Sequence, residues 1–118
     1  MGLHTGIDVV SISRIRDAAA RVRFLERVFT PDELRYSFGR RDPYRHLAGR
    51  FAAKEACMKA LRGLSPGLGW KDIEVKRDKD GRPGLVLRPE AERLLGKTSA
   101  LVSISYSGDM AFALVSVG

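Results

Sequence analysis

The sequence predicts an α+β domain in which an antiparallel sheet packs against one long helix. Three observations lead there. Residues 44–62 run between Pro43 and Gly63 without a proline, and Leu47, Phe51, Met58 and Leu61 recur along them as an apolar stripe. Short stretches rich in β-branched residues lie at both ends of the chain: "GIDVVSI", then "ALVSISYS" and "MAFALVSV" around Gly108-Asp109. Between them, "KDIEVKR" and "PGLVLR" flank "DKDG", which is hairpin chemistry. The resulting order, βαααββαββ, is that of an α+β domain.

Each element has a local reason. "GIDVVSI" begins a strand after Gly6, interrupted by Asp8. Ser11 or Ser13 caps a helix in which Ile12, Ile15, Ala19 and Val22 recur, with Arg14, Arg21 and Arg23 on its other faces. "TPDE" starts the next helix: Thr30 caps, Pro31 takes the first turn, and Glu33 reaches back as a capping box. That helix ends near "GRRDP". After the long helix comes the glycine- and proline-rich loop "GLSPGLGW", then the hairpin, then a short helix over "PEAERLLG" starting at Pro89.

At 118 residues the chain is read as a single domain over 1–118. No apolar run approaches the ~20 residues of a membrane-crossing helix, and "MGLHTGIDVV" lacks the pattern of a secretory signal. The single cysteine, Cys57, has no internal disulfide partner, which fits a reducing cytoplasm. The net charge of +7 points to an anionic partner: nucleic acid, a phosphorylated small molecule, an acidic protein or a membrane surface. Arginines gather in 14–27 and 35–50, while "ALVSISYSGDMAFALVSVG" carries only Asp109.

Two carboxylates stand out. Asp8 lies inside an apolar strand, where an acid is costly unless it is paired, caps a helix or holds a cation. Glu55 lies in "RFAAKEACMKAL", four residues before Lys59, where a surface ion pair is the plainer reading. Together, one acid from a strand and one from a helix meet the needs of magnesium, which takes one or two carboxylates, waters and substrate phosphates. Lys59 and Arg50 then reach phosphate oxygens. The phosphate-loop and dinucleotide glycine motifs are absent, and with only His4 and His46 the chain has no zinc-ligand cluster or serine-histidine triad.

"GIDVVSISRI", "LAGRFAAKEACMKAL", "WKDIEV", "DGRP" and "SIS" followed by an aromatic resemble, in order and spacing, the holo-acyl-carrier-protein synthases, the small bacterial phosphopantetheinyl transferases. The resemblance runs from about residue 6 to 117, and "GxD" with "RFAAKEAxxKAL" is a specific pair. It implies the phosphopantetheinyl transferase-like fold. It also implies transfer of the phosphopantetheine arm of coenzyme A to a serine of an apo acyl carrier protein, with release of adenosine 3',5'-bisphosphate.

Under the resemblance, Asp8 and Glu55 match the magnesium ligands. Glu55 is also the base for the serine hydroxyl, directly or through a bound water, and Lys59 neutralises pyrophosphate charge. Arg50 and Tyr106 fall at coenzyme A positions, and Gly81, Arg82 and Pro83 match a loop near the adenine. Arg14, Arg21, Arg23 and Phe24 match the surface that meets the acidic helix of a carrier protein. A homotrimer with active sites between subunits is implied as well, and neither nucleic acid nor membrane is an expected partner.

The chain departs from that pattern twice. Tyr106 stands where the family usually has histidine, and a tyrosine carries no positive charge at neutral pH. "RRDPYRH" places Asp42 and Pro43 in a region where relatives are basic, with Arg40, Arg41 and Arg45 in compensation. Such changes fit a specialised partner, such as a carrier protein of a polyketide or related assembly line rather than of fatty-acid synthesis. The alternatives are a catalytically impaired relative that binds coenzyme A or carrier protein, and a basic nucleic-acid-binding module. The module explains the charge but not Asp8 and Glu55, which repel phosphates without a metal.

Overall fold

In chain order the elements are β1 (His4–Ser11), α1 (Ile12–Ala19), α2 (Val22–Val28), α3 (Pro31–Phe38), α4 (Pro43–Ala60), a 3-10 turn (Trp70–Asp72), β2 (Ile73–Arg77), β3 (Pro83–Leu87), β4 (Ala100–Ser107) and β5 (Met110–Val117). This computed structural model describes residues 3–61, 67–89, 92–93 and 100–118. The helix expected over 89–96 and the stop at Gly63 lie largely outside the described residues. The antiparallel strands form two groups: a three-stranded sheet in the order β1-β5-β4, and the β2-β3 hairpin. Both pack on α4, the long helix the sequence predicts.

The central packing is between α4 and the β1-β5 pair, and small residues make it close. Ala48, Ala52, Ala53, Ala56 and Ala60 of α4 are buried, facing a sheet side that includes Ala111, Ala113 and Val115. The register pairs Gly6 with Val115, Asp8 with Ala113 and Val10 with Ala111, so these β1 residues share the helix-facing side. At Gly6 a Cβ would strike the carbonyl oxygen of Ala56 and come 2.8 Å from the amide nitrogen of Ala60. Only glycine lets strand backbone lie on helix backbone here. Larger side chains fill the remaining core, with Leu47, Phe29 and Ile73 at 0–1% exposure. Each such burial stabilises the fold by about 1.5–3 kcal/mol.

The capping predicted for α3 is present in full. Thr30 Oγ1 accepts from the Glu33 amide, and Glu33 Oε1 accepts from the Thr30 amide at 2.9 Å. At the start of α1 it is Ser11 that caps. Asp109, across the β4-β5 turn, also accepts from Ser11 Oγ, Ser13 Oγ and the Ser13 amide, locking that helix to the sheet.

One expectation is corrected. The single helix predicted through Val22 is two, because Ala20 ends α1 and Arg21 turns extended before α2. Val22 consequently leaves the buried stripe and is 63% exposed. The break lets Val28 and Phe29 reach the core, a tertiary gain that outweighs continued helix.

Sequence reading also passed over Lys54, which is fully buried. Its ammonium sits 2.6 Å from Glu33 Oε1 and donates to the carbonyls of Val28 and Trp70. Glu33 Oε2 accepts from the Val75 amide at 2.8 Å. Burial pulls the Lys54 pKa below the ordinary lysine range, and the Glu33 carboxylate opposes that fall. The network ties α3, α4 and β2 together through groups that are each satisfied.

Candidate active site

The strand-helix crossing sets the site. Gly6 and Asp8 are two residues apart on the helix-facing side of β1, while Ala56, Lys59 and Ala60 lie on the strand-facing side of α4. Close approach at Gly6 therefore delivers Asp8 to Lys59. The Lys59 ammonium donates to Asp8 Oδ1 at 2.8 Å and to the Ile7 carbonyl at 3.1 Å. Glu55, one turn earlier, is half-buried. Burial raises its pKa above the ordinary glutamate range, the nearby Asp8 carboxylate raises it further, and Lys59 pulls the other way. The helix-surface pair considered for Glu55 and Lys59 is thus superseded, since the ion pair of Lys59 is with Asp8.

These donors suit a hard cation. Asp8 Oδ1 and the Ile7 carbonyl already converge on an ammonium, and a second carboxylate lies close enough to be shifted by the first. No group of three or more His, Cys, Asp or Glu side chains arranged to hold a metal occurs among the described residues. Two carboxylates still fit magnesium, which keeps several waters and takes further ligands from substrate phosphates. A zinc-type cage is not present among them.

Arg50 lies elsewhere. Five residues before Glu55, it projects roughly 140° around the helix from it. The charges acting on it come from Arg77 and Glu33, whereas those acting on Glu55 come from Asp8 and Lys59. Arg50 is 1% exposed and its guanidinium stacks 4.3 Å from the Tyr36 ring, which Arg40 also covers at 4.3 Å and Arg77 at 5.9 Å. Arg45 lies 4.3 Å over the Tyr106 ring. A cavity of about 180 Å³ opens between Tyr36, Arg50, Lys76 and Arg77. Burial, then the neighbouring Arg77, lowers the Arg50 pKa. His46, edge-on to Tyr36, is lowered by burial and then by four arginines.

In this arginine cluster the buried Nε atoms of Arg50 and Arg77, Nδ1 of His46 and the Tyr106 hydroxyl have no hydrogen-bond partner. Buried polar groups left unpaired beside concentrated positive charge are open to an anion or a water. Tyr36 and Arg77 were not singled out in the sequence, and Arg40 and His46 were not linked to Arg50, because only the folded chain brings them together.

The remaining predicted residues divide between the cluster and the surface. Gly81 has φ +82°, as the β2-β3 turn requires, and its carbonyl accepts from Arg77 Nη1 at 2.6 Å. The turn of Gly81, Arg82 and Pro83 is thus joined to the cluster. Tyr106 reaches α4 at Gly49, where a Cβ would collide with its hydroxyl. Arg14, Arg21 and Arg23 are exposed on α1 and at the start of α2. Phe24 instead turns inward against Phe29 and Phe51 and lines a cavity of about 390 Å³ with Val9, Ile15 and Met110. Val22 is the apolar side chain this segment leaves outside.

Comparison with known proteins gives the chain's family and fold. Residues 4–114 match the model of the 4'-phosphopantetheinyl transferase superfamily. The chain is 46% identical to the holo-acyl-carrier-protein synthase of Syntrophotalea carbinolica, over 93% of this chain and 91% of that one. It is 44% identical to the synthase of Moorella thermoacetica, over 98% and 93%. Among solved structures, the ACPS-CoA complex of Chronobacterium ammoniagenes superposes with a TM-score of 0.87 at 34% identity, covering 99% of this chain and 97% of that one. The Helicobacter pylori synthase in complex with coenzyme A gives 0.86 at 35%, over 97% and 99%. With the superfamily pattern spanning nearly the whole fold and the similarity holding over full-length relatives, the chain belongs to the holo-acyl-carrier-protein synthases of the 4'-phosphopantetheinyl transferase superfamily.

Proposed function

We propose that the chain is a magnesium-dependent holo-acyl-carrier-protein synthase. It moves the phosphopantetheine arm of coenzyme A to a serine of an apo acyl carrier protein and releases adenosine 3',5'-bisphosphate. The observation that carries this is the meeting of Asp8, Glu55 and Lys59 where β1 crosses α4. Asp8 and Glu55 hold the magnesium, which when bound supplies neutralising charge and Lewis acidity toward the pyrophosphate.

Glu55, directly or through a bound water, accepts the proton of the serine hydroxyl. The serine oxygen bonds to the phosphorus that carries the pantetheine arm, and the bond from that phosphorus to the bridging oxygen breaks. Lys59 offsets the charge that gathers on the departing bisphosphate. Positioning and electrostatics do most of this work, as in phosphoryl transfer generally.

The arginine cluster takes the anionic adenosine end of coenzyme A through Arg50, Arg77, Arg45 and Tyr106, with the Gly81-Arg82-Pro83 turn beside the adenine. Because Arg50 and Glu55 point to different sides of α4, one coenzyme A is held between two copies of the chain. The outer face of the β1-β5-β4 sheet supports a closed homotrimer, since Ile7, Val9, Leu101 and Leu114 are 46–72% exposed there. Arg14, Arg21 and Arg23 receive the acidic carrier, with Val22 exposed among them and Phe24 beneath. A reducing cytoplasm suits the buried, unpaired Cys57.

The test is intact-mass measurement after incubation with coenzyme A, magnesium and a panel of apo carriers from fatty-acid and polyketide assembly. A gain of one phosphopantetheine group, abolished by Glu55→Gln and by chelation, is expected. Reversing Arg14 and Arg21 to Glu should raise the KM for the carrier at least ~10-fold and leave that for coenzyme A unchanged. No mass gain on any carrier would overturn the proposal.

A further inference from the structure

We propose that Lys59 and the divalent cation are alternative partners of Asp8, so that cation binding is the event that frees Lys59 to meet the pyrophosphate. The inference rests on the magnesium reading above and adds an order of assembly to it.

Lys59 has Glu55 one helical turn away, yet its ammonium is placed across the strand-helix boundary on Asp8 Oδ1 and the Ile7 carbonyl. Those are oxygen ligands of the kind a hard cation takes. An ammonium and a divalent ion on the same carboxylate oxygen repel each other, and Oδ1 is the Asp8 oxygen that lies beside the Ile7 carbonyl. A divalent ion that takes Oδ1 therefore displaces the ammonium.

Lys59 is able to leave. Its side chain is 45% exposed, and four methylene groups carry an ammonium whose third donor is unused. Lys54 gives the contrast five residues earlier: it is completely buried and held by a carboxylate and two carbonyls. One lysine of α4 is fixed and the other is tethered at one end only.

The exchange also keeps charge balanced. Asp8 and Glu55 are like charges close enough for one to raise the pKa of the other. The ammonium counters Asp8 until the cation takes over, and is then free to meet the pyrophosphate of the substrate. By the reciprocity of coupled binding, Lys59 must weaken the cation as much as the cation weakens the Lys59-Asp8 pair.

Two measurements test this without turnover. Manganese binding is followed by electron paramagnetic resonance in the parent, Lys59→Met and Lys59→Arg, in the absence of coenzyme A. Lys59→Met should bind the ion at least about fivefold more tightly than the parent, with Lys59→Arg near the parent value. In the parent, acetylation of the Lys59 amine, read by peptide mass spectrometry, should rise when magnesium is added and stay level in Asp8→Asn. Equal or weaker manganese binding by Lys59→Met, or Lys59 labelling indifferent to magnesium, overturns the exchange while leaving the metal site standing. No manganese bound by parent or variant overturns both.

Discussion

Glu55 sits where its own charge is disfavoured, first by burial and then by Asp8. Its folded pKa therefore exceeds the unfolded value, and the sign for stability follows. The protonated fold is fully stable below the unfolded pKa, and stability is lost as pH rises through the folded one. Removing the charge by Glu55→Gln should raise the melting temperature at pH 7 in a chelating buffer, with the advantage gone near about pH 4. Calorimetry at both pH values decides it, and a Gln variant that melts lower at pH 7 would count against the assignment. Transfer activity, by contrast, should vanish, so stability and function are opposed at this side chain. Glu55, Asp8 and Lys59 were legible in the sequence because their types are unusual at their positions. That Lys59 binds Asp8 rather than Glu55 was not legible, since i, i+4 spacing says nothing of a strand passing the same helix.

Among elements, the β1-α4 crossing depends on one missing side chain. Gly6→Ala puts a methyl group into the backbone of α4 at Ala56, so strand and helix must separate. Overpacking of this kind costs about 1–3 kcal/mol, visible as a lower urea midpoint. The same displacement draws Asp8 from Glu55 and Lys59, so kcat should fall further than stability alone explains, measured at a temperature where the variant stays folded. A Gly6→Ala protein with parental midpoint and kcat would refute this account of the crossing.

Local signals made the capped start of α3 and the hairpin readable, because Thr30, Pro31 and Glu33 act within one turn and Gly81 within another. The break between α1 and α2 carried no glycine or proline. It follows from what Val28 and Phe29 bury, which only the assembled core determines. Lys54 was missed for the same reason, as its partners come from α2, α3 and the Trp70 turn.

On the scale of the molecule, the carboxylate pair and the arginine cluster lie on different sides of one helix, and the proposed function makes them two half-sites. If neighbouring copies complete each other, a chain lacking one half should rescue a chain lacking the other. Glu55→Gln and Arg45→Ala, each inactive or nearly so alone, should regain activity when co-refolded, approaching about a quarter of the parental level for random mixing in a closed ring. No recovery in a preparation shown by native mass spectrometry to contain mixed oligomers would place the whole site within one copy. The pairing of β1 with β5, unlike the hairpin, could not be read from sequence proximity, since it joins strands separated by nearly the whole chain.

That pairing has one more consequence. His4 is opposite Val117, so the two extremities of the fold lie a single strand spacing apart, about 5 Å. A short peptide splice joining residue 118 to residue 3 would close residues 3–118 into a ring without disturbing the sheet. Because the splice restricts only the denatured chain, the circular form should refold after boiling more readily than its linear parent.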